Sequence, residues 1–474
     1  MKTYTTLILL VLLAGCRGTP TKGEKEARRQ VQAVAGSYRP DGRKPELPVL
    51  TSQSSLSNLL TYALLNQPQV EAAYFDWLAS VERITVARSL PDPQLTFQMD
   101  IQQVVTSLMP GLMMSFPGAG KLRAAGAVAA ADSQTKYFAF QTASLQSAYA
   151  VLRAYYQLSF LEERISVNRE NLNLLSDLAK LAGAQNEVGK GTLQDVLRAQ
   201  IEQGRVETEI ANLEDSRAPL RAQFKAALGL RADQPAPPVL QRFESTPLDL
   251  TSEEVLSAAL ARNTRLKGME AEVRGAEASL TLAHKARMPD VSLGLMADAK
   301  MNPAVYRPWG TVSLPLWRDK LAAEVAQAQA NKRAGQARLS AEQIALAVAV
   351  AEKAFLYREA SRNLELLKNQ LLPRQRQSVE VARSGYLAGQ IDFFNLTDAE
   401  QTLVRFSLAD VEARAQRELS LVELSLISQG MPPAGAAIGS TGMGETVSAG
   451  GMGATGSGML PGGSSAFRRT KGGM

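Results

Sequence analysis

Residues 94 to 101 alternate strictly between apolar and polar side chains. Leu95, Phe97, Met99 and Ile101 take one side; Gln94, Thr96, Gln98 and Asp100 take the other. A period of two predicts a strand with one greasy and one wet face. Val291, Leu293, Leu295 and Ala297 repeat the pattern far downstream. Each strand is followed by a second stretch, about 110–117 and about 309–317, that is shorter and richer in Gly and Pro and predicts a partner strand. Elsewhere the period changes. Leu145, Tyr149, Leu152, Tyr156 and Phe160, and later Ile344, Val348, Ala351 and Phe355, recur at helical spacing within segments 121–182 and 320–384. Helices of that length reach roughly 90–100 Å at 1.5 Å per residue. Pro373 predicts a kink in the second. An opening helix over about 56–90 must stop before Pro91 and Pro93.

The chain repeats itself. A shift of 196 residues carries Ala63-Leu64 onto Ala259-Leu260, Ala87 onto Ala283 and Pro93 onto Pro289. The offset grows to 200 by Gly189 and Gly389. Each half reads helix, β-hairpin, long helix, turn, return helix. The return helix (192–229) and the next opening helix (252–287) together match the long helix in residue count, so the pair can stack alongside it. The Pro235-Ala236-Pro237-Pro238 joint would then lie at the waist. The predicted fold class is mainly α with a small β portion. Four strands do not close a membrane barrel; three chains supply twelve.

The ends and the composition narrow the setting. Lys2, the apolar run Leu7–Leu13 and Ala14-Gly15 form a secretory signal, and Leu13-Ala14-Gly15-Cys16 has the pattern of a lipidation site. Cys16 is the chain's single cysteine, so no disulfide or thiolate metal site is expected, and the lipid on Cys16 is the one attached group anticipated. No later run is long and apolar enough for a membrane helix, which leaves strands as the means of crossing a bilayer. The single histidine, His284, removes most hydrolytic and metal chemistry, so no enzyme and no cofactor is expected. A net charge of +6 spread along helices, with one small cluster at Arg468, Arg469 and Lys471, argues against a nucleic-acid partner. The expected organisation is 1–15 signal, 16–55 lipid-anchored segment, 56–230 first repeat, 231–250 proline-rich joint, 251–430 second repeat and 431–474 a disordered Gly/Met-rich tail.

One motif occurs twice. Val188-Gly189-Lys190-Gly191-Thr192-Leu193-Gln194-Asp195 has its counterpart in Tyr386-Leu387-Ala388-Gly389 followed by Asp392. Glycine frees the chain from one helix, and Thr192 or Asp392 caps the next. With the duplicated plan and the lipidation signal, these hairpins resemble the TolC-type outer-membrane efflux proteins over about residues 56–430. The resemblance implies a homotrimer with a 12-stranded β-barrel and a long periplasmic α-barrel. It implies that the hairpins at Gly189, Thr192, Gly389 and Asp392 meet a periplasmic adaptor, which links the channel to an inner-membrane transporter. It carries a tip gate onto Asp195 and Tyr386 and a pore selectivity ring onto Asp398, with Asn395 at the second ring position. The arginine of the family's lock is Ile391 here. The implied role is a passive, lipid-anchored conduit in the outer membrane for small molecules or metal ions. A conduit for protein secretion, or a lipid-anchored helical scaffold without a pore, are the alternatives.

Two other signals stay open or fall away. Phe116-Pro117-Gly118-Ala119-Gly120-Lys121-Leu122 lacks the glycine and hydroxyl that a phosphate loop needs and reads as a strand-to-helix turn. Methionines gather at 99, 109, 113, 114, 288, 296 and 301 and again in the tail. Thioethers suit Cu(I) or Ag(I), and methionine equally fills lipid-facing and irregular sites; no metal ligand is assigned on this pattern.

Overall fold

The structure, a computed structural model, describes residues 20–51, 54–101, 105–237, 251–298, 301, 303 and 305–429. Cys16, the signal, Pro238 with the rest of the joint to 250, and the tail lie outside the described residues.

In the first repeat, α1 (Lys22–Tyr38) precedes α2 (Leu56–Asn66) and α3 (Pro68–Arg88). Strands β1 (Gln94–Ile101) and β2 (Val105–Phe116) follow, then α4 (Lys121–Glu187), α5 (Leu193–Asp215) and α6 (Arg217–Ala227). The second repeat runs α7 (Ser252–Arg262), α8 (Thr264–Lys285), β3 (Asp290–Asp298), β4 (Val305–Ser313), α9 (Arg318–Leu366), a π-helical turn (Leu367–Leu371), α10 (Leu372–Leu387) and α11 (Phe393–Gln429). The alternating strand at 94–101 forms as read, while its partner starts five residues earlier than expected. Met109 and Ser107 extend the ladder by pairing with Gln98 and Asp100.

The expected single opening helix is two helices, and the reason recurs in both repeats. Pro68 and Asn263 sit at equivalent breaks. Pro68 lacks the N–H that would continue a helix, and the Asn263 side chain accepts from the backbone N–H groups of Arg265 and Leu266. The side chains at the breaks then close each repeat upon itself. Gln67 Nε2 donates to Ala226 and Ala227 carbonyls at the end of α6. Asn263 Nδ2 donates to Ile427 at the end of α11. Orphan C-terminal carbonyls are satisfied at the same two places. The kink expected at Pro373 is a π turn over the residues just before it. Proline cannot donate to the carbonyl four residues back, and a widened turn absorbs the break in register.

Helix α4, 67 residues long, is the spine, about 100 Å at helical rise. Its first part packs on α8, where Thr142 and Thr264 hydroxyls meet at 2.9 Å. Its later part packs on α6 and α5, where Arg217 grips Glu162 at 2.7 and 2.8 Å and Arg169 pairs with Glu214. The two shorter helices thus stack along the long one. A central core of Leu59, Tyr155, Phe224, Leu346, Leu424 and Ile427 joins both repeats at mid-length.

The four strands form one antiparallel sheet in the order β1-β2-β3-β4. Register places Leu95, Leu112 and Leu295 in one row and Gln94, Met113, Gly294 and Trp309 in the next, on the opposite face. The apolar face is bare: Leu95 is 65% and Phe97 68% exposed, and Leu293, Leu295, Tyr306 and Val312 are exposed beside them. No helix among the described residues is long and apolar enough to cross a membrane. At the sheet's base, Asp290 Oδ1 accepts from Gly118 N (2.6 Å) and Lys121 Nζ (2.7 Å), fixing the strand-to-helix turn of one repeat to the other's strand.

Candidate functional site at the helical tip

The two glycine hairpins are built alike. Gly189 and Gly389 both adopt φ +70°, a left-handed conformation that other residues resist. Lys190 N returns to Gln185 O, and Gln390 N returns to Gly385 O, each at 2.8 Å. The next helix is capped in both. Thr192 Oγ1 accepts from Asp195 N at 3.3 Å while Asp195 Oδ2 accepts from Thr192 N at 3.1 Å, a reciprocal capping box. Asp392 Oδ1 accepts from Asn395 N at 2.9 Å.

The tip core comprises Leu175, Leu178, Ala182, Ala199, Tyr386, Phe393 and Leu396, contributed by both repeats. Tyr386 lies edge-on to Phe393 with ring centroids 5.7 Å apart. Its hydroxyl is buried without a hydrogen-bond partner, and burial, helped by the Asp195 charge, raises its pKa. Asp195 and Tyr386 are therefore brought together electrostatically. No hydrogen bond joins them; Asp195 Oδ2 is held by the Thr192 cap. Ile391 packs its Cγ1 over Gly385. The first repeat has the reverse pairing: Gly191 lies against Gln185. Asn395 and Asp398 are exposed, three residues apart on α11, beside buried Leu396 and Ala399. Arg198 of the first hairpin stacks over Phe394 of the second, 5.4 Å from the ring centre.

Sequence reasoning missed two features here. Glu400 is only 3% exposed, with one carboxylate oxygen unpartnered. Burial pushes its pKa up to about 7, partly opposed by Arg383. A cavity of 370 Å³ beside it is lined by Asp177, Lys180, Arg383 and Leu387. Its repeat partner is Gln200, so a charge on the buried face of one copy alone was the available signal. The second feature is a bare apolar stripe, Leu193, Leu197 and Ile201, along α5; its spacing of four was legible. Exposed His284 lies in the last turn of α8, and no cluster of three or more His, Cys, Asp or Glu suited to a metal occurs among the described residues.

A sheet bare on its apolar face and a 67-residue spine helix that ends in a capped hairpin match what the resemblance to outer-membrane efflux proteins anticipates. The family model for outer membrane efflux proteins matches residues 59–230 and 255–428, one span per repeat, and the chain belongs to that family. Its members are channel proteins and not enzymes. The chain is 26% identical over 271 residues to the cobalt-zinc-cadmium resistance protein CzcC of Cupriavidus metallidurans, covering 53% of this chain and 60% of CzcC. It is 24% identical over 407 residues to the outer membrane efflux protein BepC of Brucella suis, covering 80% and 83% of the two. The solved outer membrane protein VceC of Vibrio cholerae superposes with a TM-score of 0.68 at 16% identity, over 79% of this chain and 96% of VceC. The chain is thus an efflux channel protein of the outer membrane.

Proposed function

We propose that three copies of this chain close a 12-stranded barrel in the outer membrane and a helical tunnel below it, forming the exit duct of a three-part export system. The observation that supports this most is the sheet: it has two unpaired edges, at β1 and β4, and a continuous bare apolar face. Lipid satisfies such a face, and only closure with other copies satisfies such edges. The lipid on Cys16 anchors the N-terminus. The hairpins at Gly189, Thr192, Gly389 and Asp392 meet a periplasmic adaptor fed by an inner-membrane transporter, and the bare Leu193-Leu197-Ile201 stripe supports contact with another chain at this end. The cargo is small molecules or metal ions; a metal cargo draws support from the relative named for cobalt, zinc and cadmium resistance.

Within this reading Asp195 and Tyr386 restrain the tip, and Asp398, repeated three times, forms a negative ring that favours cations. Ile391 gives the closed tip an apolar contact where an arginine would give an ionic one. The test is conductance of the detergent-extracted protein in planar bilayers, wild type against Tyr386→Phe/Asp195→Ala. Small cation-selective currents that grow in the double variant are expected. Unchanged currents would remove the gate and keep the duct; a well-folded oligomer without conductance would favour a scaffold.

A further inference from the structure

The strand register sets three methionines around one glycine, on a single face of the sheet. Met109 and Met113 flank Gly111 along β2, and Met296 of β3 stands directly opposite Gly111. All three lie on the face opposite the bare row of Leu95, Leu112 and Leu295. Methionine at these places is therefore not the lipid-facing filler that its abundance in the strands first suggests. Gly111 makes room: a Cβ there would collide with Met296 Cγ and lie 2.8 Å from Thr96 Oγ1. Met109 is 2% exposed, and Met113 and Met296 are half-buried. Met109 and Met113 are the two diagonal neighbours of Met296 across the ladder, roughly 7–8 Å away at the backbone, within the reach of long side chains. Three rotatable bonds let each thioether turn toward the notch. Thr96 Oγ1 lies in the same notch, buried without a hydrogen-bond partner. The Trp309 indole covers Gly294, the position across from Met113, and its Nε1 is also buried and unpartnered.

We propose that Met109, Met113 and Met296 form a thioether site for a soft monovalent cation, Cu(I) or Ag(I), on the inner wall of the barrel. Neutral sulfur ligands suit such ions and bind Zn(II) or Co(II) poorly, so the site selects against the harder divalent cations. Trp309 packs over Gly294 and adds an apolar wall on the Met113 side. The claim that the site faces a lumen rests on the channel reading above; the thioether cluster itself does not.

The test is titration of the full-length detergent-solubilised protein with Ag(I) in chloride-free buffer, followed by X-ray absorption for Ag–S scattering. Wild type should bind one more Ag(I) per chain than Met109→Leu/Met113→Leu/Met296→Leu, a volume-conserving change. Met296→Leu alone should weaken that site by at least the ~10–100-fold that loss of a supporting contact costs a metal site. Met99→Leu/Met114→Leu, on the opposite face, should titrate like wild type, and Zn(II) should not compete. In the wild-type protein, Ag(I) should slow peroxide oxidation of Met109, Met113 and Met296 while leaving exposed Met99 unprotected. Identical titrations for wild type and triple variant, or equal loss in the outer-face variant, would overturn the site. Bilayer conductance of the same preparation separates the two claims. Conductance without silver binding refutes the site and leaves the duct, whereas silver binding without conductance keeps the site and refutes its lumenal role.

Discussion

Glu24 is a buried charge outside the tip. It is 1% exposed, near the start of α1, and its carboxylate is held by Arg88, Arg28 and Thr85. Arg28 in turn grips Glu82 with two bonds of 2.9 Å, and α1 lies close enough to α4 that a Cβ on Gly23 would meet Ala130 at 3.1 Å. The Arg88 hydrogen bond is the largest cause of a pKa lowered from 4.5 to about 2, against an opposing push from burial. At 1.36 kcal/mol per unit, that shift is worth about 3 kcal/mol of docking. Because the folded value is depressed, the contribution is complete above about pH 4.5 and disappears as pH falls toward about 2. Glu24→Gln should remove it at neutral pH and break the buried Arg88–Glu24 pair, a change of the kind that costs about 3–5 kcal/mol. Hydrogen exchange of residues 22–38 should then speed up by roughly a hundredfold or more, at 1.4 kcal/mol per tenfold. Glu26→Gln is the control, since exposed Glu26 pairs only with Arg29, at 3.9 Å, among the described residues. Unchanged exchange in Glu24→Gln, or an equal effect in Glu26→Gln, would refute the clamp.

Three further outcomes are expected. Glu400 carries a raised pKa, so its neutral form suits the folded tip and stability there should fall as pH rises from about 4.5 to 7; Glu400→Gln should flatten this and protect residues 172–182 and 382–400 at pH 8, and identical exchange profiles for the two proteins would contradict it. Gly189→Ala should cost about 1–2 kcal/mol from its φ of +70° alone. Gly229→Ala, at φ +69°, should cost more, because the new Cβ meets the Asn66 carbonyl oxygen at 2.8 Å; equal melting temperatures for the two variants would refute the clash. Asp398→Asn should lower cation selectivity, read as a smaller reversal potential across a salt gradient, and an unaltered potential would remove Asp398 from the ring.

Much of the architecture was legible because it is written twice. The strand at 94–101 and the two capped hairpins follow from period and punctuation alone. The helix breaks were equally available: Gln67-Pro68 and Asn263-Thr264 fall at the same place in the two repeats, and proline marks one of them. Helix α1 was passed over as an anchor segment, although Ala27, Val31, Val34 and Tyr38 recur at helical spacing after a Thr21 cap. Charged residues dominate its sequence, and its docking depends on Arg88, far away in the chain. The grouping of Met109, Met113 and Met296 is not visible without the β2–β3 register, and the burial of Glu400 depends on helices α4 and α10 packing beside it at the tip. The Asp195–Tyr386 pairing came only from the family resemblance, which did not include the hold of the Thr192 cap on Asp195.

The pairing of β2 with β3 also orders events in time. Ser115 and Ser292, whose hydroxyls meet at 2.9 Å, are 177 residues apart, whereas each hairpin closes within its own neighbourhood. Hairpins and helices form fast, and a ladder between distant strands forms late. Until it forms, the chain carries two sticky ribbons with open edges and a greasy side. If three copies close the barrel as proposed, that closure should become faster as chains crowd together at the membrane. The duct's assembly rate should therefore rise steeply with local chain density, however stable each single chain is.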